Sequence, residues 1–336
     1  MVIPKKPGPN NELRARTVLD KRDQNANTIK MASPLPAIDP ILWNLLRHTY
    51  WTLIDIGDAF EQMRVIPEHV IRTLFNTPDG TMLSLVMQQG DTNAPASWQT
   101  LMNHIFGPHI GIFMDIYMDD LIIYSNSIED HVCHLRIVFS ILRKEQIYLS
   151  TADKIKFFAV ELTVLGHVID KDGLKMDPHK VDTIVNWKTP TNRSLLSGFL
   201  GAVGYLAPDC KGVRRPMGVI TGLTSSLQIW NWGPTQQRAF KAVQIGVDKY
   251  RDHHRVMIKY GPHEAPINLV ADASLTGAGG ALSQGRDLAT AKIIVFWSGK
   301  FNPAQQNYPV HEREMLAIVE SLKRFRYLLQ LSLIHI

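Results

Sequence analysis

The sequence is poor in cysteine and has no long apolar run. Its 336 residues include two cysteines, Cys133 and Cys210, which are too far apart for a C-x-x-C motif. This scarcity argues against a disulfide framework and a zinc knuckle, and it favours a reducing compartment. No apolar stretch approaches the roughly 18 residues of a membrane-spanning helix, and the polar N-terminus lacks the apolar core of a signal peptide. We therefore expect a soluble intracellular protein.

Acidic residues are slightly outnumbered by basic ones, and the histidines form no metal-binding pattern. The formal net charge is +5, which permits a polyanionic partner such as nucleic acid without requiring one. His253, His254 and His263 have no cysteine or acidic residue at the spacing of a zinc site. A linker with incidental histidines, from 253 to 263, is the better interpretation.

The length predicts two or three domains. After a basic N-terminal stretch and an amphipathic segment, Ile38 to Leu46, short β-type runs alternate with helical ones up to about Ile169. The predicted strands are Thr52–Ile56, Ile110–Tyr124, Leu162–Ile169 and Gly173–Met176, and the predicted helices are Ala96–Ile105 and Glu129–Lys144.

The second half of the chain is more helical at first and then changes to strands. Asp177 before Pro178 is typical of an N-cap with proline at the first helical position. We predict helices at 179–187, 193–206 and 234–250, strands at 267–271, 279–283 and 293–297, and a helix at 310–329. Three strands followed by a helix indicate a separate α/β module.

The most informative local pattern is a pair of acids between two apolar β-type runs. Asp119 and Asp120 interrupt such a run, which places both carboxylates at the tip of a hairpin. Aspartate is common in turns for conformational reasons alone, so the pair by itself is only suggestive. Asp55 ends another apolar strand, and the three acids converge if the two strands are neighbours. Converging carboxylates repel one another and need a cation, and Mg²⁺ prefers oxygen ligands and substrate phosphates.

Tyr117-Met118-Asp119-Asp120 resembles the tyrosine-x-Asp-Asp hairpin of reverse transcriptases, and the segment from Asp55 to Phe60 resembles the first motif of their palm. Other motifs of the family follow in the same order and cover nearly the whole chain. They are a fingers strand at 16–22, a Q-G…N/S-x-P block at 89–96, a primer grip at 165–167, and a thumb helix at 193–205 like that of gypsy-type long-terminal-repeat retrotransposons.

The resemblance implies an α+β fold: a right-hand polymerase of palm, fingers and thumb, followed by a truncated ribonuclease H-like α/β module. The expected domains are fingers and palm at 1–176, thumb and connection helices at 177–260, and a partial ribonuclease H-like domain at 261–330. The expected activity is RNA- and DNA-directed DNA polymerisation, with Mg²⁺ or Mn²⁺ as cofactor. The partners would be an RNA or DNA template with a DNA primer, and deoxynucleoside triphosphates.

The resemblance also implies roles for individual residues. Asp55, Asp119 and Asp120 match the catalytic, metal-binding carboxylates. The positions that match nucleotide-binding residues are Arg16, Phe60 and Gln89, and those that match primer-binding residues are Tyr117, Met118, Leu165 and Gly166. Phe60 would be a steric gate against the ribose 2′-hydroxyl, although composition alone favours a core aromatic.

Some positions depart from the family pattern. Gypsy-type elements usually have phenylalanine at the position of Gln89, so this chain is closer to the retroviral form there. Asp91, beside the expected nucleotide site, and Asp115, inside a predicted strand, are unexpected acids. Neither replaces a metal ligand.

In the C-terminal module, Asp272 resembles the first metal-binding acid of a ribonuclease H domain, and Glu314, rather than Glu312, matches the second. The family needs a further aspartate on a later strand, so we expect this site to be incomplete and to cleave no RNA. Residues 331–336 match the translation of a sequencing adaptor and are interpreted as an artefactual tail. A catalytically inactive remnant that only binds nucleic acid is the alternative function.

Overall fold

A computed structural model describes the backbone of residues 2–4 and 15–17 and, with side chains, residues 19–32, 35–261 and 263–329. Residues 331–336, interpreted above as a tail, lie outside the described residues. The chain divides into two compact units, Met1–Val160 and Glu161–Ile336. The domain boundaries expected at 176 and 260 stay predictions.

The elements follow one another in a mixed α/β order. The strands of the first unit are β1 Val2–Pro4, β2 Ala15–Thr17, β3 Tyr50–Asp55, β4 Phe75–Thr77, β5 Gly80–Met82, β6 Met114–Tyr117, β7 Asp120–Ser125 and β8 Lys156–Ala159, and its helices are α1 Arg22–Ala26, α2 Ile38–Leu46, α3 Pro67–Val70, α4 Ala94–Phe106 and α5 Ile128–Lys144. The strands of the second unit are β9 Leu162–Val164, β10 His167–Asp170, β11 Gly173–Met176, β12 Ile267–Ala273, β13 Gly277–Gln284 and β14 Lys292–Lys300. Its helices are α6 Pro178–Val185, α7 Arg193–Leu206, α8 Arg214–Thr221, α9 Pro234–Lys249, α10 Pro303–Gln306, α11 Val310–Arg324 and α12 Arg326–Leu329.

The central sheet of the first unit is antiparallel, with strand order β6-β7-β3-β8. Strand β7 is almost continuously buried, which explains its unbroken apolar sequence. Helices α4 and α5 contribute Trp98, Met102, Phe106, Leu135 and Val138 to the core beside this sheet. Helix α5 begins where the Ser127 side chain accepts a hydrogen bond from the backbone N–H of Asp130.

The strands and helices predicted for this unit from Thr52 to Lys144 are confirmed within a few residues, apart from the run Ile110–Tyr124. That run is not extended throughout, because Ile110 forms only an isolated bridge, residues 111–113 form a turn and the strand begins at Met114. The strand expected at 16–22 does not continue through residues 19–22, and strands β4 and β5 and helices α1 and α3 were not predicted. The short strand β8 was not predicted. It lies at the edge of the sheet, where Phe157 is 49% exposed and Phe158 37% exposed, so no clear inside-outside alternation marks it in the sequence.

In the second unit, an antiparallel sheet of order β11-β10-β9 precedes a helical cluster. The run Leu162–Ile169, predicted as one strand, is instead two antiparallel strands, because the left-handed φ values of Leu165 and Gly166 turn the chain between them. Helices α6, α7, α8 and α9 share one apolar core that includes Val181, Phe199, Ile220 and Phe240. The predicted cap of the first helix is confirmed, since the Asp177 side chain accepts a hydrogen bond from the backbone N–H of His179 at 2.9 Å. Pro178 occupies the first turn, where its missing N–H costs nothing.

The segment 253–263 is not the free linker that the sequence suggested. Arg255 and Leu174 exchange two backbone hydrogen bonds of 2.8 and 3.0 Å, so the segment extends the edge of β11. The Arg255 side chain is 1% exposed and forms an ion pair with Asp209, which is fully buried. The sequence prediction was wrong because the partner of the arginine lies 46 positions away along the chain.

The C-terminal module is a sheet of order β12-β13-β14, against which helix α11 packs. Gly280 on β13 allows this contact, because a Cβ there would lie 2.5 Å from both Ser321 Oγ and Trp297 Nε1. These two groups form a buried hydrogen bond of 2.7 Å. The predicted helix from Val310 to Leu329 is confirmed as far as Arg324, and a separate turn of helix, α12, follows.

Among the described residues, we find no helix of the length and apolarity that crossing a bilayer requires.

Candidate active site

The structure brings the three predicted catalytic carboxylates together at one end of the two inner strands of the central sheet, β3 and β7. Strands β3 and β7 are antiparallel neighbours, and Asp55 and Asp120 are directly opposite each other in their register. Asp119 lies at the tip of the β6–β7 hairpin, and its carbonyl oxygen accepts a hydrogen bond of 2.9 Å from the N–H of Ile56. The convergence expected from sequence therefore has its physical basis in the pairing of two strands that are 65 positions apart.

Two side chains of helix α4 form hydrogen bonds with the backbone of the β6–β7 hairpin turn. The amide oxygen of Gln99 accepts a hydrogen bond of 2.8 Å from Met118 N–H, and its amide nitrogen donates to the carbonyl of Ile116 at 3.2 Å. The indole N–H of Trp98 donates to the carbonyl of Met118 at 2.8 Å. Met118 has a φ of 58°, a left-handed conformation that costs free energy in a non-glycine residue. These contacts hold the strained turn, and with it Asp119, in place.

Burial and the neighbouring carboxylates together alter the pKa of Asp120. Burial, followed by the negative charges of Asp119 and Asp55, raises the pKa of Asp120 to about 7. A divalent cation bound among these carboxylates would relieve the repulsion between them, and carboxylate oxygens are the ligands that Mg²⁺ and Mn²⁺ prefer. The donor set thus fits such an ion. In the described part of the chain, however, no three His, Cys, Asp or Glu side chains are already arranged to hold a metal.

A lysine contacts one of the three acids. Lys154 Nζ lies 3.1 Å from Asp55 Oδ2, and the two side chains are 57% and 24% exposed. Lys154 ends a short 3₁₀ helix, Ala152–Lys154, which follows a backbone hydrogen bond from Ser150 N–H to the carbonyl of Asp55. The sequence analysis missed this residue, because no local pattern connects it to the end of β3.

The three residues expected at the nucleotide differ in what the structure shows. Phe60 lies in a 3₁₀ turn, Ala59–Gln62, just after β3, and it packs half-buried against the core of the first unit. Gln89 is half-buried in the loop before α4, next to Gly90 with its φ of 103°. The backbone of Arg16 lies in β2, but its side chain lies outside the described residues. Their roles at the nucleotide stay predictions.

The two unexpected acids have structural partners. Asp91 accepts a hydrogen bond of 2.8 Å from the N–H of Gln88 and forms an ion pair of 3.2 Å with Lys21, which is 5% exposed. Asp115 accepts hydrogen bonds from Asn44 at 3.0 Å and from the Tyr124 hydroxyl at 3.1 Å. Burial nonetheless raises the pKa of Asp115 above its ordinary value. Both acids hold local structure together.

Of the residues expected at the primer, two lie in the hairpin and two in the second unit. Tyr117 and Met118 precede the paired acids, and both are half-buried. Leu165 and Gly166 form the turn between β9 and β10, with φ values of 46° and 70°. The hydroxyl of Tyr205 donates to the carbonyl of Leu165, and the Lys180 ammonium lies 4.2 Å from the centre of the Tyr205 ring. Helix α7, which contains Tyr205, and the β9–β10 turn are thereby joined within the second unit.

The two acids expected in a ribonuclease H site lie on packed elements. Asp272 is near the end of β12, opposite Gly279, and is exposed. Glu314 is half-buried in the first turns of α11, whereas Glu312 is exposed. Helix α11 packs against β12, and Arg313 donates a hydrogen bond of 3.2 Å to the carbonyl of Ser274. The sharing of a metal by Asp272 and Glu314 stays a prediction.

Besides Lys154, the sequence analysis missed the helix side chains that support the hairpin. Gln99 is 1% exposed and lies within the buried stripe of α4 that also includes Met102 and Phe106. A glutamine in an apolar stripe is a usable signal, because a buried amide must find hydrogen-bond partners. The sequence does not reveal which backbone atoms it binds.

An aspartate at the end of one antiparallel strand, opposite an Asp-Asp hairpin, is consistent with the two-metal palm of a nucleic acid polymerase. Comparison with known families agrees with this class. Residues 3–169 match the model of the reverse transcriptase (RNA-dependent DNA polymerase) family, and residues 232–336 match the RNase H-like domain found in reverse transcriptases. The chain belongs to the reverse transcriptase family.

Relatives over nearly the whole chain are retrotransposon polyproteins. The Retrovirus-related Pol polyprotein from transposon 297 of Drosophila melanogaster is 33% identical over 335 residues, which are 98% of this chain and 30% of that protein. The transposon Tf2-3 polyprotein of Schizosaccharomyces pombe is 30% identical over 330 residues, 98% of this chain and 24% of the polyprotein. The chain thus spans 24% to 30% of the length of these relatives. Their names are consistent with a gypsy-type element.

Solved structures of a foamy viral protease-reverse transcriptase share the fold. The complex with double-stranded DNA has a TM-score of 0.76 and the complex with an RNA/DNA hybrid one of 0.72, each at 20% identity. They cover 97% of this chain, and the matched parts are 55% and 42% of the respective viral chains. At this identity the likeness shows the fold, a reverse transcriptase core followed by a ribonuclease H-like module, which confirms the predicted fold class.

Proposed function

We propose that this chain is an RNA- and DNA-directed DNA polymerase that extends a DNA primer on an RNA or DNA template. The observation that carries the proposal is the pairing of Asp55 with Asp120 beside Asp119. Both nucleic acid types occur as partners of the structurally similar viral enzyme, which supports the proposed substrates. Deoxynucleoside triphosphates are proposed as the second substrate, because the family uses them and because the carboxylates of the site suit metal-bound phosphates.

Asp55, Asp119 and Asp120 would hold Mg²⁺ or Mn²⁺. When bound, two such ions activate the primer 3′-hydroxyl and stabilise the leaving pyrophosphate. The chain itself positions these groups: Gln99 and Trp98 hold the turn that presents Asp119, and the β3–β7 pairing sets Asp55 against Asp120. Tyr117 and Met118 would line the primer end, Leu165 and Gly166 would hold its backbone, and Arg16, Phe60 and Gln89 would contact the nucleotide.

The ribonuclease H-like module would bind metal through Asp272 and Glu314. These two acids lie on β12 and α11, and, as expected from the sequence, we propose no RNA cleavage by this module.

Replacement of Asp119 by asparagine tests the proposal. We expect Asp119→Asn to reduce primer extension by about 100- to 1000-fold, in line with the loss of one preorganised group in an active site. Binding of a primer–template duplex should change little, because Lys and Arg contacts to phosphates dominate it. Extension is measured with Mg²⁺ and with Mn²⁺, and Asp172→Asn, on an exposed turn, is the matched control.

Equal extension by Asp119→Asn and the unchanged chain would contradict the proposed site. If the unchanged chain binds duplex but extends no primer with either ion, the alternative of an inactive nucleic-acid-binding remnant is favoured.

A further inference from the structure

Lys154 contacts Asp55, one of the three palm carboxylates, although nothing in the proposed chemistry assigns it a place there. Its ammonium lies 3.1 Å from Asp55 Oδ2, an oxygen that a divalent ion would also need. From this geometry we infer that Lys154 is a substitute cation for the metal-free palm site: it occupies the place of a metal at Asp55 and must leave when a metal binds. The inference rests on the proposed function, since it treats Asp55 as a metal ligand.

The position of Lys154 is fixed by the backbone of the preceding segment. Gln62 binds both backbone groups of Tyr148, with distances of 2.8 Å to its carbonyl and 2.8 Å from its N–H, and also donates to the carbonyl of Gly57 at 2.6 Å. Ile56 and Leu149 form a β-bridge next to this contact. The segment 148–150 is therefore attached to the end of β3. Lys154 is only four residues further along the chain, so it remains close to Asp55.

The side chain of Lys154, in contrast, is free to exchange. It is 57% exposed, and its contact with Asp55 is a single ion pair near the surface. Exposed ion pairs contribute little net free energy, because water competes with them and the long side chain loses entropy. A divalent ion that binds several of the clustered carboxylates together carries twice the charge of an ammonium. It should displace Lys154 without any change in the backbone.

Because a metal ion must break the ion pair between Lys154 and Asp55 in order to bind, the ion pair lowers the net affinity of the site for the metal. If the ion pair contributes as much as exposed pairs usually do, its removal should tighten metal binding about two- to fivefold. The lysine would thus weaken the affinity of the free enzyme for metal. It would also partly neutralise the cluster of carboxylates until substrate and metal bind together.

Direct titration of the full chain with Mn²⁺, in the absence of nucleotide and nucleic acid, tests this inference. Electron paramagnetic resonance of free Mn²⁺ gives the dissociation constant for the unchanged chain and for Lys154→Gln, which should bind about two to five times more tightly. Lys156→Gln is the matched control, because it removes the same charge from an exposed position two residues away. Lys154→Arg should behave like the unchanged chain, since a guanidinium keeps the ion pair.

Equal affinity for Lys154→Gln and Lys156→Gln would overturn the inference, because a general loss of positive charge would then explain any gain. It would also be overturned if Asp55→Asn left Mn²⁺ binding unchanged, since the measured ion would lie elsewhere. Thermal unfolding of each variant without metal shows whether the fold is retained. A failure of the proposed function appears separately, as a lack of primer extension by the unchanged chain.

Discussion

At the scale of single residues, the raised pKa of Asp120 couples proton binding to metal binding and to stability. Its pKa is about 7 in the folded chain against an ordinary value of 3.8, so the folded state binds more protons than the unfolded state between these values. The free energy of unfolding therefore decreases as the pH rises from about 4 to about 7, and this cost remains at higher pH. A metal ion must displace the same proton, so its affinity should fall as the pH drops below about 7.

We expect Asp120→Asn to remove both effects. Without metal, the variant should gain stability relative to the unchanged chain as the pH rises from 4.5 to 8, because asparagine carries no charge to be buried. Urea denaturation at the two pH values measures this difference, with Asp172→Asn as the control. The same pH dependence in all three proteins would show that Asp120 is not the group that titrates.

Phe60 is the second residue with a specific expectation. It lies in the 3₁₀ turn that follows the end of β3 at Asp55, and it packs against the core while remaining partly accessible. If the accessible part lies beneath the ribose, Phe60→Val makes room for a 2′-hydroxyl and should increase ribonucleotide incorporation relative to deoxyribonucleotide incorporation. Single-nucleotide extension assays give the ratio. A variant that extends primers with unchanged discrimination would place the gate elsewhere and leave Phe60 a core aromatic.

At the scale of elements, the β6–β7 hairpin depends on helix α4. Gln99→Leu would leave the Met118 N–H and the Ile116 carbonyl without their hydrogen bonds, at a cost of about 1–3 kcal/mol for each buried group left unpaired. We expect a lower free energy of unfolding and slower primer extension, because Asp119 is no longer held in one position. Gln99→Glu, which keeps the acceptor for Met118 but loses the donor, should be intermediate.

Denaturant unfolding and single-turnover extension measure the two effects. If Gln99→Leu lost stability but extended primers at the original rate, the helix would support the fold without positioning the catalytic turn.

At the scale of the whole molecule, the second unit depends on a buried ion pair between segments distant in sequence. Arg255 donates from Nη2 to Asp209 Oδ2 at 2.6 Å, and His167 lies 3.2 Å from the same oxygen. Although burial acts in the opposite direction, the charge of Arg255 and the hydrogen bonds from His167 and Arg255 hold the pKa of Asp209 below its ordinary value. The pair attaches the segment around 255 to the turn after α7.

We expect Arg255→Met to destabilise the second unit by about 3–5 kcal/mol, because it leaves a buried carboxylate without its counter-charge. Arg251→Met is the matched control. Arg251 also forms ion pairs, with Asp182 and Asp248, but at the surface, where the loss should be about 0–1 kcal/mol. Denaturation of each variant, followed by a probe in each of the two units, measures both losses of stability. Similar losses for the two variants would contradict a structural role for the buried pair.

The sequence by itself determined the type and approximate position of the main elements, and it predicted the chemistry of the site. The apolar runs around Asp55 and Asp119-Asp120 predicted strands that end or turn at acids, and the cap at Asp177 predicted the start of α6. These features are local, because strand periodicity, turns and caps depend on residues a few positions apart. The family motifs added the order of the domains and the assignment of the three acids.

Only the tertiary structure decided which distant groups meet. The contact of Lys154 with Asp55, the support of the hairpin by Gln99, and the buried pair of Arg255 with Asp209 join residues 99, 19 and 46 positions apart. The same fold changed an expected linker into a paired segment and gave Asp91 and Asp115 structural partners. Such contacts follow from chain packing, in which burial requires each charge or amide to find a partner, and one sequence alone does not specify which partner is within reach.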